Sequence, residues 1–572
     1  MRRLIVGALA AIGAASLLFL VAVAIFAWQF TRSDEPELPE RTVLYLDLRE
    51  SLPETPAEDP LASLGLGTTV DAIDALLALR AAREDERVVG LVARVDGDGP
   101  GFAQAQELRA AVHALGEAGK FTVAFADAFG EFGPGMRGYY LASAFDEILM
   151  QPLGAVGLTG LMVETPLLRG LLDNLGVEPV GGKRGAYKSA ADMFTERELT
   201  AETREALEAI LDSIHGQLVA DIAADRGLEP TVVDQLIGRG PYAADEAIEV
   251  GLVDRLGFWD AVETLVAERA GDPDQVLIGP ADYRAALPAP PDGAPVVAVV
   301  HGVGQIQRGK SERGPAQGWI LGAETVAAAL DEALEDPEVR AILFRVDSPG
   351  GSAVASETIG HEVRRAVEAG KPVIVSMGEV AASGGYWISM HASAITARPA
   401  TLTGSIGVFA GKPVLTGLWD WLGVSWGLVQ KGENADMWST TRGFDAAGEE
   451  RLDAFLDRTY AAFKAGVAEG RNLEPGAVQE AAEGRVWTGE QAAANGLVDD
   501  LGGFEAALAR VRDAAGVADD EVIELRRFPR QRSPIEQILE ILSDPSRLIR
   551  TLPSLTLGDW LPVLSSPPLS VR

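Results

Sequence analysis

The 572-residue chain contains no cysteine. That excludes disulfide scaffolds, thiolate metal sites, cysteine nucleophiles and a lipidated N-terminal cysteine, and leaves the redox compartment open. Basic residues are also few: 49 Lys and Arg against 84 Asp and Glu give a formal net charge of −35. Binding to phosphate backbones needs clustered cations, so no nucleic-acid partner is expected. The acidic excess reads as a solvated surface, with mild attraction for basic substrate ends as the sharper alternative. Histidine is scarce too. None of the five (His113, His215, His301, His361 and His391) lies in a setting that marks a catalytic triad. Histidine as a general base stays open but unsupported.

What is present is the composition of a globular protein, 47% apolar and 23% charged. The length exceeds one ordinary hydrophobic core, so two domains are expected. Leu4–Trp28 is 25 residues without a charge, against roughly 20 needed for a membrane-spanning helix. Arg2 and Arg3 precede it and Asp34, Glu35, Glu37 and Glu40 follow. The positive-inside bias then predicts a cytoplasmic start and an exported body. Ala22-Val23-Ala24 resembles a signal-peptide cleavage site, but the apolar run continues through Ile25, Phe26 and Trp28. An uncleaved anchor is therefore expected over residues 1–33.

An internal repeat organises the rest. Arg94-Val95-Asp96 returns as Arg345-Val346-Asp347, 251 positions later. Tyr139-Tyr140, Gly157-x-x-Gly160 and Leu175-Gly176-Val177 return at an offset of 247 as Tyr386-Trp387, Gly404-x-x-Gly407 and Leu422-Gly423-Val424. Gly251-Leu252-Val253-Asp254 returns at 245 as Gly496-Leu497-Val498-Asp499. The drift marks small loop insertions in a diverged tandem duplication. A Pro-rich linker at 288–295 divides a first domain, 40–287, from a second, 296–525; residues 526–572 read as a tail. Short β-branched runs such as Ala341–Phe344 and Val373–Ser376 alternate with helical stretches such as Ser356–Ala369. Each domain is thus expected to be α/β, with a mostly parallel sheet and crossover helices. In the tail, Ile535–Ile549 is amphipathic, which fits a packed terminal helix better than a membrane-surface one.

Two segments of the second domain carry chemistry. Asp347-Ser348-Pro349-Gly350-Gly351-Ser352 leaves a strand and enters a helix. Paired glycines there expose backbone N–H groups at a helix N-terminus, as an oxyanion hole requires. Ala381-Ala382-Ser383-Gly384-Gly385 can present a serine hydroxyl at the start of a helix, with a further N–H from the glycine after it. It does not fit the Gly-x-Ser-x-Gly elbow of α/β-hydrolases. The candidate base is Lys188, in Gly185-Ala186-Tyr187-Lys188-Ser189-Ala190. At the 247 offset Ser383 faces Met136, Lys188 faces Ala435 and Ser405 faces Leu158. Each half has lost what the other keeps, so one composite site per chain is expected.

On these motifs, with Thr401-Leu402-Thr403-Gly404-Ser405-Ile406-Gly407, the chain resembles the long-form signal peptide peptidase A family. That is a family of membrane-bound serine proteases in the Clp-protease/crotonase superfamily, and the resemblance spans nearly the whole chain except the tail. It implies a tandem Clp/crotonase-like fold behind one transmembrane helix, in a bacterial inner membrane with the body in the periplasm. It implies Ser383 as nucleophile, Lys188 as general base and Ser405 as a hydroxyl bonded to the lysine amine. The oxyanion hole would use Gly384 with Gly350 or Gly351. It further implies no cofactor or metal, cleaved signal peptides and other apolar peptides as substrates, and a homo-oligomer, a tetramer. Asp347 stands where the family has asparagine.

Three rivals remain. Gly304-Gln305-Ile306-Gln307-Arg308-Gly309-Lys310-Ser311 fits a nucleotide-binding phosphate loop, but turn-forming residues rather than a helix follow it. A crotonase-like acyl-CoA enzyme would share the paired N–H groups without needing a Ser–Lys pair. A non-catalytic membrane scaffold would need neither.

Overall fold

The computed structural model describes residues 38–55, 70–314, 318–518 and 521–530. The expected anchor Leu4–Trp28 and the Ile535–Ile549 stretch lie outside the described residues. Within these, no helix is long and apolar enough to cross a membrane.

Each half builds a sheet on one plan. The first runs Arg255–Leu256, Glu147–Met150, Phe121–Ala126, Val88–Val95, Thr42–Leu48, Leu277–Ile278. The second runs Asp500–Leu501, Ala394–Ala397, Val373–Ala382, Val339–Ser348, Val296–Val303, Glu524–Phe528. All these neighbours pair parallel. Parallel strands need crossovers, and helices supply them: Ala72–Glu84 and Phe102–Glu117 in one half, Ala323–Glu335 and Ala353–Glu368 in the other. The last begins where Ser352 caps it, Oγ accepting from Ala355 N–H at 3.3 Å, and buries Ile359, Val363 and Ala366 along one stripe.

Central strands of such sheets are covered on both faces and are apolar throughout. Along Val339–Ser348, Phe344 and Val346 face the second half's own core. Leu343 faces the other way and joins Leu76, Phe102 and Leu108 of the first half in one continuous cluster. The two repeats therefore share a core across their seam.

A charge crosses that seam. Arg345 is wholly buried and forks to both oxygens of Glu107 (2.8 and 2.8 Å) and of Glu54 (2.8 and 3.0 Å). Its counterpart Arg94 pairs with Asp127 on the surface. A second link is a two-stranded ribbon in which Glu178–Arg184 of the first half pairs antiparallel with Val408–Val414 of the second, Arg184 opposite Val408.

One expectation changes. The edge strand Glu524–Phe528 carries the second half past residue 525, so Arg526 and Arg527 are not tail. They are held there because Arg527 pairs with Asp71 and Asp74, and Arg526 with Glu338 and Glu524. After Lys310-Ser311 comes the strand Glu312–Gly314, with no helix N-terminus to receive a phosphate. Ser311 Oγ instead accepts Gly322 N–H.

Candidate active site

Ser383 ends the strand Val373–Ala382 and caps the short helix Gly384–Trp387. Its φ of 55° and ψ of −114° are costly for a residue with a Cβ. The cost is met by contacts on both sides: its N–H donates to Gly404 O and its carbonyl accepts from Trp387 N–H, each at 2.9 Å. Gly350 packs behind it so closely that a Cβ there would stand 2.9 Å from Ser383 Cβ and 2.6 Å from Gly384 N.

The inter-half ribbon brings Lys188 to this serine. Lys188 follows Arg184 by one tight turn and Ser405 precedes Val408 by another, so pairing of the two strands sets their side chains together. Lys188 Nζ lies 2.9 Å from each of Ser383 Oγ, Ser405 Oγ and Ser405 O. The residue is 3% exposed. Burial, with no charged partner to oppose it, lowers the ammonium to about 7. A neutral amine has two N–H donors and one lone pair. The three neighbours match that set when Ser405 accepts twice and Ser383 donates its hydroxyl proton to Nζ.

Beside the serine, Gly350 N–H donates to Ser348 Oγ at 3.2 Å, and Ser348 Oγ donates to Gly304 O at 2.7 Å. Gly351 N–H and Gly384 N–H have no acceptor among the described residues. They are close: Gly351 N is 3.0 Å from where a Cβ on Gly384 would stand. Both sit near the N-terminus of the helix Ala353–Glu368, where negative charge is favoured.

The structure thus brings Ser383, Lys188, Ser405, Gly351 and Gly384 together, and turns the Gly350 N–H away. Four histidines are engaged elsewhere: His113 with Asp225, His215 with Asp234, His301 with the Glu54 carbonyl and His391 with Arg364. Among the described residues no group of His, Asp and Glu could hold a metal ion. Sequence reasoning missed the turn Glu483-Gly484-Arg485, which lies against Lys188. A signal was there: at the 245 offset it faces Gly238-Arg239-Gly240, a different order of residue types.

Residues 123–271 and 365–518 match Peptidase family S49, the same stretch of each repeat. The chain is 32% identical over 522 residues to Protease 4 of Salmonella typhi, covering 87% of this chain and 82% of that one. It is 30% identical over 465 residues to the chloroplastic Serine protease SPPA of Arabidopsis thaliana, covering 80% and 68%. Among solved structures, a membrane-bound stomatin-specific protease is similar at 18% identity and a TM-score of 0.27, over 42% of this chain and 99% of that one.

Proposed function

Since this chain belongs to peptidase family S49 and is a serine peptidase, we propose that it cleaves peptide bonds through a Ser383–Lys188 dyad, on a tandem Clp/crotonase-like scaffold. The observation that carries this is the 2.9 Å approach of a buried amine, freed of its proton near neutrality, to a serine oxygen. Lys188 Nζ takes the Ser383 hydroxyl proton as Oγ attacks the substrate carbonyl carbon. The oxyanion that forms is met by the N–H groups of Gly351 and Gly384. Lys188 then gives its proton to the leaving amine, and water, deprotonated by the same amine, releases the acyl group from Oγ. Ser405 holds Nζ in line through its hydroxyl and carbonyl. Neither an acyl-CoA enzyme nor a scaffold needs this arrangement.

In our reading the enzyme is anchored by Leu4–Trp28, with its body on the outer face of a bacterial inner membrane, and degrades signal peptides left there after cleavage. The support is the uncharged span behind Arg2 and Arg3 and the resemblance in sequence. A fluorophosphonate applied to the detergent-solubilised full chain is expected to modify Ser383, found by peptide mapping, and the chain to degrade a labelled apolar signal peptide. A folded chain labelled on another serine, or not at all, would overturn the dyad. Extraction by salt without detergent would overturn the anchor.

The same reading makes the enzyme a homo-oligomer, a tetramer. At the 247 offset the ribbon strand Glu178–Arg184 corresponds to 425–431, and its partner Val408–Val414 to 161–167. Neither counterpart pairs with a strand among the described residues, yet Trp426, Leu428, Val429 and Met162 are exposed there. One copy's 425–431 fits beside the next copy's 161–167, repeating the inter-half ribbon between chains. Light scattering should give four chains for the wild type and a smaller particle for a Trp426→Asp, Val429→Asp variant. A monomeric wild type at micromolar concentration would end the proposal.

A further inference from the structure

Each of the three residues Glu483, Gly484 and Arg485 touches the frame around Lys188 in its own way. The Glu483 carbonyl accepts Tyr187 N–H at 2.8 Å, and its side-chain Oε2 accepts Ala186 N–H at 3.1 Å. Gly484 lies on Lys188 itself, where a Cβ would stand 2.6 Å from Lys188 N and 2.7 Å from its Cα and Cβ. Its N–H donates to Ile406 O at 2.9 Å. The Arg485 carbonyl accepts Ser405 N–H at 2.7 Å. The Arg485 guanidinium lies over the Tyr187 ring at 5.0 Å and pairs with Glu205, which also accepts from Tyr187 Oη at 2.7 Å.

The backbone there is not ordinary. Glu483 has φ 56° and Gly484 φ 76°, two left-handed residues in succession, the first of them not glycine. Such a pair persists only where its surroundings over-determine it. The duplication supplies a control. In the first half, where Met136 stands in place of Ser383 and Leu158 in place of Ser405, the corresponding residues are Gly238, Arg239 and Gly240, and none has a positive φ.

We propose that Glu483-Gly484-Arg485 is the positioning element of the general base, fixing Lys188 against Ser405 and closing its backbone to water. The inference rests on the reading of Lys188 as base. One short turn grips the backbone before the lysine, the lysine's own Cα and the backbone N–H of the serine that holds Nζ. A shift of the turn therefore moves base and holder relative to each other. The charged or titratable groups around Lys188 and the turn are Lys183, Arg184, Tyr187 and Asp192 on its own segment, Glu205 on the helix Ala201–Arg226, Asp453, Asp457 and Tyr460 on the helix Ala446–Arg471, and Glu483 and Arg485 on the turn. None of them opposes the effect of burial on the amine. The turn thus acts by excluding water rather than by its charge.

The test uses the full chain in detergent and a short apolar peptide. Gly484→Ala is expected to lower kcat by roughly 10- to 100-fold with KM within about twofold. The acid limb of the kcat–pH profile should move to higher pH by on the order of one unit, because a wetter amine holds its proton more tightly. Glu483→Ala, which frees the Ala186 N–H, should move the limb in the same direction by less. Glu483→Gln keeps an acceptor oxygen and should restore it. A folded Gly484→Ala variant with an unmoved limb would overturn the proposal. Should that variant not fold, Glu483→Ala with a wild-type limb would overturn it instead. Cleavage retained by Lys188→Ala would mark a different failure, that of the base itself.

Discussion

Lys188→Arg is expected to lower kcat/KM by about a thousandfold or more, and Lys188→Ala by a similar amount. Arginine keeps the length and the donors but cannot give up its proton, so it removes the base while leaving a cation beside Ser383. The native activity should rise with pH through a single ionisation near 7, where burial has brought the Lys188 amine. The corresponding stability effect has the opposite sense to a salt bridge. The folded pKa lies below the unfolded value of 10.5. Above 10.5 both states hold a neutral amine and there is no penalty. As pH falls from there to about 7 the unfolded chain gains a proton that the folded one refuses. Burial of the amine then costs on the order of 3–5 kcal/mol, constant below pH 7. Lys188→Met should accordingly be more stable than the native chain at pH 7 and indistinguishable from it near pH 11, as urea midpoints would report. Ser383→Ala combined with Lys188→Ala should be little worse than either alone, because the two act as one unit. Roughly multiplicative losses, or substantial activity in Lys188→Arg with an unchanged pH profile, would remove Lys188 from the mechanism.

Arg345→Met should destabilise the protein by roughly 3–5 kcal/mol at pH 7. The substitution strands Glu54 and Glu107, 8% and 2% exposed at the side chain, as two carboxylates facing one another without their cation. Two unpaired buried charges cost more than the packing a methionine can restore. Activity should fall with stability, since the same seam sets Lys188 opposite Ser383. Urea midpoints at pH 7 check this. A deficit under about 1 kcal/mol would show that the triad is replaceable by packing alone.

Much of this was legible in the sequence. The repeat was readable because turn glycines and the Arg-Val-Asp strand ends recur at nearly constant offsets. The split site was readable because Met136 and Ala435 cannot do what Ser383 and Lys188 can. The fate of Arg345 was not: it shares its motif with Arg94, and only the packing of two sheets decides that one guanidinium meets solvent and the other meets Glu107. Pairing of Glu178–Arg184 with Val408–Val414 was equally hidden, because glycine and proline break the alternation that marks a strand. The choice between Gly350 and Gly351 depended on Ser348 Oγ, a bond no spacing announces. The phosphate-loop pattern could be set aside from the sequence because no helix follows it, and its lysine and serine do lead into the strand Glu312–Gly314.

The proposed dyad joins residues 195 positions apart in the chain, and this gives the enzyme a history during its own synthesis. The ribosome makes the lysine first and the serine on the order of ten seconds or more later. In between, the growing chain holds a proton acceptor with nothing to activate. Competence arrives at one moment, when the second repeat closes on the first. On that reading a chain interrupted before residue 383 lacks the nucleophile, and the order of its own residues delays the activity until the second repeat has been made.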